Sequence, residues 1–157
     1  MMKSFFIGNL EVKLPIVQGG MGVGVSLSGL ASAVANEGGV GVISCAGLGL
    51  IHKGHGDFLQ NCIWGLQEEL RIAREKTTGI IGVNIMVALS NFADMARTAI
   101  AEKADIIFAG AGLPLDLPFY KTADSETKLV PIVSSARAAK VICEKWYLNY
   151  NYLPDAI

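Results

Sequence analysis

Charged residues are scarce in this chain of 157 residues, and neither sign dominates. Only 17% of the residues are charged, with 13 basic residues against 14 acidic ones. This balance gives no basic surface for nucleic acid or for an anionic membrane, and we expect neither as a partner. Hydrophobic residues make up 52% of the chain, which predicts a folded domain and excludes intrinsic disorder.

The sequence also lacks a hydrophobic run long enough to cross a membrane. Its longest charge-free stretch, residues 14–36, is broken by Pro15, Gln18, three serines and five glycines. A spanning helix needs about 20 predominantly apolar residues, and the N-terminal ten residues are too short for a signal peptide. The three cysteines, Cys45, Cys62 and Cys143, are far apart and odd in number, which predicts reduced thiols in a cytoplasmic protein.

Short apolar runs alternate with helical patterns, which is typical of α/β proteins with a parallel sheet. Periodicity alone leaves two architectures open, a doubly wound sheet and a closed (β/α)₈ barrel. For the helices we expect a first one capped by Ser26, a second at 66–76, a third capped by Asn91, and a last one capped by Ser134 or Ser135. The predicted strands are 14–18, 40–45, 80–87, 105–110 and 129–133, and residues 153–157 look like the approach to a sixth.

Glycines crowd the turn after the first predicted strand, at positions 19, 20, 22 and 24. Glycine lets backbone N–H groups approach a phosphate or a flat ring without obstruction by a Cβ atom. The turn is not a dinucleotide-binding fingerprint, because Val25 stands where a third glycine or alanine belongs, and the chain has no phosphate-binding Gly-Lys-Ser/Thr sequence. A tight turn between strand and helix is the alternative to a ligand-binding loop.

Three polar side chains stand out at other places in the chain. Asn84 interrupts an almost wholly apolar strand, where its amide must bond either to neighbouring backbone or to a ligand. His52 and His55 lie in a predicted exposed, mobile loop at 47–58. Two histidines three residues apart could share a metal ion, but no third ligand is evident and we expect no metal site. Either histidine could reach a substrate if the loop folds over the site.

Five blocks of sequence, in this order and spacing, resemble one enzyme family. They are the Pro-Ile-Val-Gln-Gly-Gly-Met-Gly sequence at 15–22 and the blocks at 33–39, 82–86, 110–114 and 131–139. Together they resemble the nitronate monooxygenases, once called 2-nitropropane dioxygenases, which are FMN-dependent TIM-barrel enzymes related to the flavin-containing enoyl-ACP reductases. The resemblance implies a (β/α)₈ barrel, with about its first five β/α units in residues 1–157.

The resemblance also implies a site and a reaction. It implies FMN as cofactor, an alkyl nitronate and O₂ as substrates, and oxidation of the nitronate to a carbonyl product. Reduction of an enoyl-ACP by the same kind of barrel is the alternative. The residues implied to bind FMN are Gly20, Met21, Gly22, Asn84, Gly110 and Gly112, and those implied to lie at the substrate pocket are Ser134 and Ser135.

The family's catalytic histidine, in an Ala-Gly-Gly-His type of motif, is expected beyond Ile157 together with the glycines that hold the FMN phosphate. A barrel of this kind needs about 250 residues. We therefore expect residues 1–157 to be the N-terminal portion of one flavin-binding barrel domain, inactive in isolation. Two alternatives are a non-catalytic truncated chain and a subunit that works with a partner, either a second copy or a complementing C-terminal half.

Overall fold

A four-stranded parallel sheet forms the centre of the molecule in the computed structural model, which describes residues 3–157. The strands follow one another in sheet order as they do in sequence, and a separate antiparallel hairpin precedes them. The hairpin strands are β1 (Phe5–Ile7) and β2 (Leu10–Val12), and the sheet strands are β3 (Val40–Ser44), β4 (Ile80–Met86), β5 (Ile106–Gly110) and β6 (Lys128–Pro131). The helices are α1 (Ser28–Asn36), α2 (Leu48–Ile51), α3 (Phe58–Lys76), α4 (Phe92–Ala101) and α5 (Ala136–Tyr150).

The predicted strands at 40–45, 80–87, 105–110 and 129–133 are confirmed as β3 to β6, with ends that differ by one or two residues. The predicted strand at 14–18 is wrong, because it contains only a single bridge between Val17 and Val40. Val40 N donates to Ile16 O at 2.9 Å and Gln18 N donates to Val40 O at 3.0 Å. Beyond that point the side chain of Gln18 replaces the backbone in the ladder, so the main chain leaves the sheet.

The N-terminal hairpin has no counterpart among the predicted elements. Its turn is Gly8-Asn9, with Gly8 at φ +56°, a conformation that glycine adopts at little energetic cost. Ile7 and Val12 point away from water and pack with Val40 of the sheet. The hairpin therefore covers part of the sheet face that the helices leave bare.

Two helix starts differ from the sequence expectation. Leu27, not Ser26, occupies the N-cap of α1, and Ser26 is fully buried in the preceding loop. Helix α3 begins at Phe58, eight residues before the predicted start, because Asp57 and Gln60 form a capping box. Asp57 Oδ1 accepts from Gln60 N at 2.8 Å, and Gln60 Oε1 accepts from Asp57 N at 3.0 Å.

Of the other two predicted N-caps, one makes a capping hydrogen bond through its side chain and the other does not. Asn91 stands at the N-cap of α4, but its side chain accepts no hydrogen bond there. Ser135 is the confirmed cap of α5, and its Oγ accepts from Ala138 N at 3.2 Å. The expected loop at 47–58 contains the short helix α2, and the connection from β5 to β6 contains only a 3₁₀ turn at Leu117–Tyr120 where a barrel repeat usually places a helix.

The side chains of successive strand residues point to opposite faces of the sheet and belong to two separate hydrophobic cores. The outer face of the sheet, covered by the helices, is wholly apolar and includes Ile43, Val83, Ile107 and Leu129, each at 0% exposure. Trp146 of α5 seals one end of this core, and its indole N–H donates to Pro114 O at 2.9 Å. The inner face belongs to a second, smaller cluster, which contains Val40, Val42, Ile106, Phe108 and Val130 together with Ile7 and Val12 of the hairpin.

Residues 153–157, expected as the approach to a sixth strand, form no strand but lie beside β6. Asp155 N donates to Leu129 O at 3.1 Å, and its carboxylate accepts from Leu129 N at 2.8 Å and from the Tyr152 hydroxyl at 2.5 Å. Burial and this bond to Asp155 raise the pKa of the Tyr152 phenol. Across residues 3–157, none of the helices has the length and apolar character that a membrane span requires.

Candidate functional site

A cavity of about 530 Å³ opens on the inner face of the sheet, toward the carboxyl ends of the strands. Apolar side chains form most of its wall, and among the described lining residues only Gln18 and Asn84 carry polar side-chain groups. Open α/β sheets and barrels both place their ligands at this end of the strands. The lining residues are Phe5, Ile7, Val17, Gln18, Gly19, Gly20, Val42, Asn84, Phe108, Val130, Pro131, Ile132, Val133, Ala156 and Ile157.

Gly20 lies directly against Asn84 at the cavity wall. A Cβ atom on Gly20 would come within 2.3 Å of Asn84 Cβ and 2.6 Å of Asn84 Cγ, so only glycine fits at this position. The strand register places Asn84 between Ser44 of β3 and Phe108 of β5. The loop that follows residues 16–18 therefore packs directly against the side chain of Asn84, the one carboxamide that β4 contributes to the cavity wall.

The loop of residues 19–25, here called the glycine loop, rests on the rim of the sheet through a second close approach. A Cβ atom on Gly22 would lie 2.9 Å from the Ala46 methyl group. No atom lies within 4 Å of a Cβ built on Gly19, so this part of the loop faces open space. Among the described residues, the backbone N–H groups of Gly20 and Gly22 donate no backbone hydrogen bond.

Gln18 and Ser26 hold the two ends of the glycine loop, which the sequence analysis did not anticipate. The Gln18 amide donates from Nε2 to Val42 O and to Ser26 Oγ, both at 3.0 Å, and its Oε1 accepts from Val42 N at 3.2 Å. Ser26 Oγ accepts from Met21 N and donates to Gly19 O, each at 3.0 Å. The signal available in the sequence was a glutamine and a serine flanking the glycines.

The remaining residues implied by the family resemblance lie outside the wall of this cavity. Met21 is 46% exposed on the glycine loop. Gly110 ends β5, where a Cβ atom would meet Ile132 at 3.1 Å, and Gly112 has φ +144° with Val87 as its nearest neighbour. Ser134 is exposed, and Ser135 caps α5 immediately after the lining residue Val133.

The two histidines belong to a different part of the molecule. His52 is held by α3, with Nε2 at 3.0 Å from Glu69 Oε1, while Glu69 Oε2 accepts from Ser28 N at 2.7 Å. The His55 ring stacks on Trp64 with centroids 3.6 Å apart and planes 7° apart. Neither histidine lines the cavity. Within residues 3–157 no three His, Cys, Asp or Glu side chains come together as metal ligands would.

Two of the three cysteines, Cys45 and Cys62, are not arranged for nucleophilic chemistry. Cys45 and Cys62 are buried in the outer core. Burial raises the pKa of both thiols, and the neighbouring Cys62 raises that of Cys45 further. A thiol kept protonated in this way is a poor nucleophile.

The sequential parallel strands, the helices on one face and the cavity on the other define a β/α protein of the barrel class. Solved structures agree with this class. The chain is similar to the structure of FabK from Thermotoga maritima, with 27% identity and a TM-score of 0.66 over 85% of this chain and 38% of that one. It is similar also to the M276A mutant of that FabK, with 27% identity and a TM-score of 0.68 over 85% of this chain and 40% of that one.

The sequence model of the nitronate monooxygenase family matches residues 3–104, which is more than half of the chain. The chain belongs to the nitronate monooxygenase family, and its fold is part of a (β/α)₈ barrel. It spans about two fifths of the length of the FabK chains that it matches. A search among curated proteins found no match.

Proposed function

We propose that residues 1–157 form the N-terminal portion of a single flavin-binding barrel domain, in an FMN-dependent oxidoreductase that oxidises alkyl nitronates with O₂. Family membership supports the flavin and the reaction class. One observation carries the assignment to a particular place: Gly20 lies against Asn84 in an apolar cavity at the carboxyl ends of parallel strands. This is the end of a barrel where active sites are built.

The residues present fit the chemistry of a flavin. A flat, largely apolar ring needs apolar walls and a close approach by backbone, and its edge carries nitrogen and carbonyl groups that need hydrogen-bond partners. The cavity has the apolar walls, Gly20 provides a surface without a side chain, and the N–H groups of Gly20 and Gly22 can donate. The Asn84 carboxamide can both donate and accept.

In this proposal Gly20, Met21, Gly22 and Asn84 hold the cofactor, and Gly110 and Gly112 border it from the end of β5. FMN would supply the electron transfer between the nitronate and O₂ when bound. The task of this chain's residues is to bind and orient. Phe108 and Val130 exclude water from the inner face, and Ser134 and Ser135, which follow β6, border the substrate.

A second candidate is the reduction of an enoyl-ACP, which the similarity to FabK supports. Both reactions use a flavin on a barrel, so cofactor binding does not separate them. The two differ in what the flavin exchanges electrons with, since the reductase consumes a nicotinamide and a thioester whereas the monooxygenase consumes O₂. We favour the nitronate because the matching family is that of the nitronate monooxygenases.

Two assays separate these candidates, made on the full-length barrel protein of which residues 1–157 form the N-terminal portion. The first measures oxygen uptake on addition of propyl-2-nitronate, and the second measures NADH oxidation on addition of crotonyl-CoA. The proposal expects uptake of oxygen that depends on added FMN, with little thioester-dependent oxidation of NADH. Activity with the thioester alone would overturn it in favour of the reductase.

A further inference from the structure

Residues 16–18 lie beside β3, and the last pair of hydrogen bonds between this segment and the strand is made by the side chain of Gln18. In a regular parallel ladder, the rung after Gln18 N to Val40 O would join the backbone carbonyl of Gln18 to Val42 N. Here Gln18 Oε1 accepts from Val42 N at 3.2 Å, and Gln18 Nε2 donates to Val42 O at 3.0 Å. The carboxamide thus imitates a peptide group, and the main chain from Gly19 onward is released from the sheet.

Ser26 fixes where the released main chain goes. Its hydroxyl accepts from Gln18 Nε2 and from Met21 N and donates to Gly19 O, all at 3.0 Å. A serine hydroxyl offers one donor and two acceptor sites, so all of its hydrogen-bonding capacity serves this loop. The backbone adds to the closure, because Ser26 N donates to Met21 O at 3.0 Å and Ser44 N donates to Ser26 O at 2.8 Å.

These hydrogen bonds fix the position of the glycine loop relative to Asn84. The approach of Gly20 to Asn84 leaves no space for a Cβ atom, so a small shift of the loop would change this contact. The exposed fraction of Ser26 is 0%, and no other described element reaches its hydroxyl, so removal of the hydroxyl would leave Met21 N and Gly19 O without their partner.

We propose that Gln18 and Ser26 are positioning residues, which hold the glycine loop in its cofactor-binding conformation by replacing a backbone rung with a side-chain amide. The inference rests on the proposed function, since it concerns binding of FMN by that loop. Neither side chain is needed to touch the reacting atoms. The Gln18 amide has both N–H groups occupied and only part of the capacity of Oε1 left for a ligand.

The test uses the full-length barrel protein that contains residues 1–157, and two independent measurements on its Ser26→Ala and Gln18→Met variants. Hydrogen exchange of backbone amides reports the order of the loop without any cofactor, and titration with FMN reports binding. Ser32→Ala is the matched control, because Ser32 is also buried but its hydroxyl donates only within α1, to Gly29 O at 3.1 Å. Circular dichroism of each variant verifies that the fold is retained.

We expect Ser26→Ala to speed exchange of the Met21 amide and to weaken FMN binding, each about tenfold, as the loss of well-made buried hydrogen bonds predicts. Gln18→Met is expected to speed exchange of the Val42 amide and to weaken FMN binding to a similar extent. Ser32→Ala should change neither quantity.

Three outcomes would separate the possible failures. Unchanged exchange in both variants would show that the side chains do not order the loop, which overturns the inference. Faster exchange with unchanged FMN affinity would show that the order of the loop does not serve the cofactor, which also overturns it. Absence of FMN binding by the unmodified full-length protein would refute the proposed function, while the exchange data would still decide whether the two side chains fix the loop.

Discussion

The two faces of the parallel sheet use the same strands for different purposes. On the outer face, the strand side chains that point toward the helices are apolar and buried. Ile43 and Ile107, each at 0% exposure, are examples. On the inner face the same strands present Val42 and Phe108 to a hairpin and to an open cavity, with Asn84 among them. The outer face therefore determines that the chain folds, and the inner face determines what it can bind.

The largest expected effect is on the outer face, at Gly41. A Cβ atom there would lie 1.9 Å from the backbone oxygen of Ala31 in α1, so Gly41→Ala must separate the helix from the sheet. We expect a loss of about 3 kcal/mol or more in the free energy of unfolding, measured with urea. Gly29→Ala is the control, because nothing lies within 4 Å of its Cβ, and it should leave stability unchanged or raise it. Equal effects of the two variants would contradict this close packing.

A matched pair of valines compares the faces directly. Val83 lies in the outer core at 0% exposure, whereas Val42 is 1% exposed and borders the cavity. Val83→Ala should lower the free energy of unfolding by about 2.5 kcal/mol, since it removes packed contacts on every side. Val42→Ala should cost about 1 kcal/mol, because part of its surroundings is already empty. If chemical denaturation gave the same loss for both, the distinction between the two faces would fail.

The next effect is on binding and not on stability. Asn84→Ala removes the carboxamide from the cavity wall and should weaken FMN binding about tenfold, with a change in the free energy of unfolding of no more than about 0.5 kcal/mol. Asn36→Ala, which removes an exposed amide bonded to Lys76 O, is the control and should leave FMN affinity unchanged. A large loss of stability in Asn84→Ala would mean that the amide serves the fold.

The smallest effect concerns pH and the outer core. Burial, with a contribution from Cys62, raises the pKa of the Cys45 thiol, so the folded state retains this proton at a pH where the unfolded state releases it. Stability from this group is complete below the pKa of the unfolded thiol and is lost as the pH rises above about 8.5. The slope is at most about 1.4 kcal/mol per pH unit for one group. Denaturation at several pH values should show a flatter decline for Cys45→Ala than for the unmodified chain, and parallel declines would contradict the assignment.

The spacing of apolar residues was sufficient to predict the strands that form the outer face of the sheet. Strands β3 to β6 follow from apolar spacing, because helices cover that face of the sheet. Helix α1 ends at Asn36, and Gly38 follows it at φ +89°. The early start of α3 was missed, although the capping box at Asp57 and Gln60 marks it.

The inner face was harder to predict because it depends on contacts between distant residues. Gln18 and Val42 are 24 residues apart, and no local pattern shows that a side-chain amide will take the place of a peptide group. The hairpin was missed although Gly8-Asn9 is a known turn dipeptide, since strands of three residues carry too little period to detect. The glycines and Asn84 were identified from residue type, while the contact between Gly20 and Asn84 required the fold.

The most direct test of the central claim, that the glycine loop and Asn84 form part of a flavin site, is titration of the full-length protein with FMN, followed by the visible absorption of the flavin. The account predicts that the full-length protein binds one FMN per polypeptide saturably and that Gly20→Ala, whose methyl group must displace the loop from Asn84, lowers its affinity at least about tenfold. Absence of binding by the unmodified full-length protein, or the same affinity in Gly20→Ala, would contradict it.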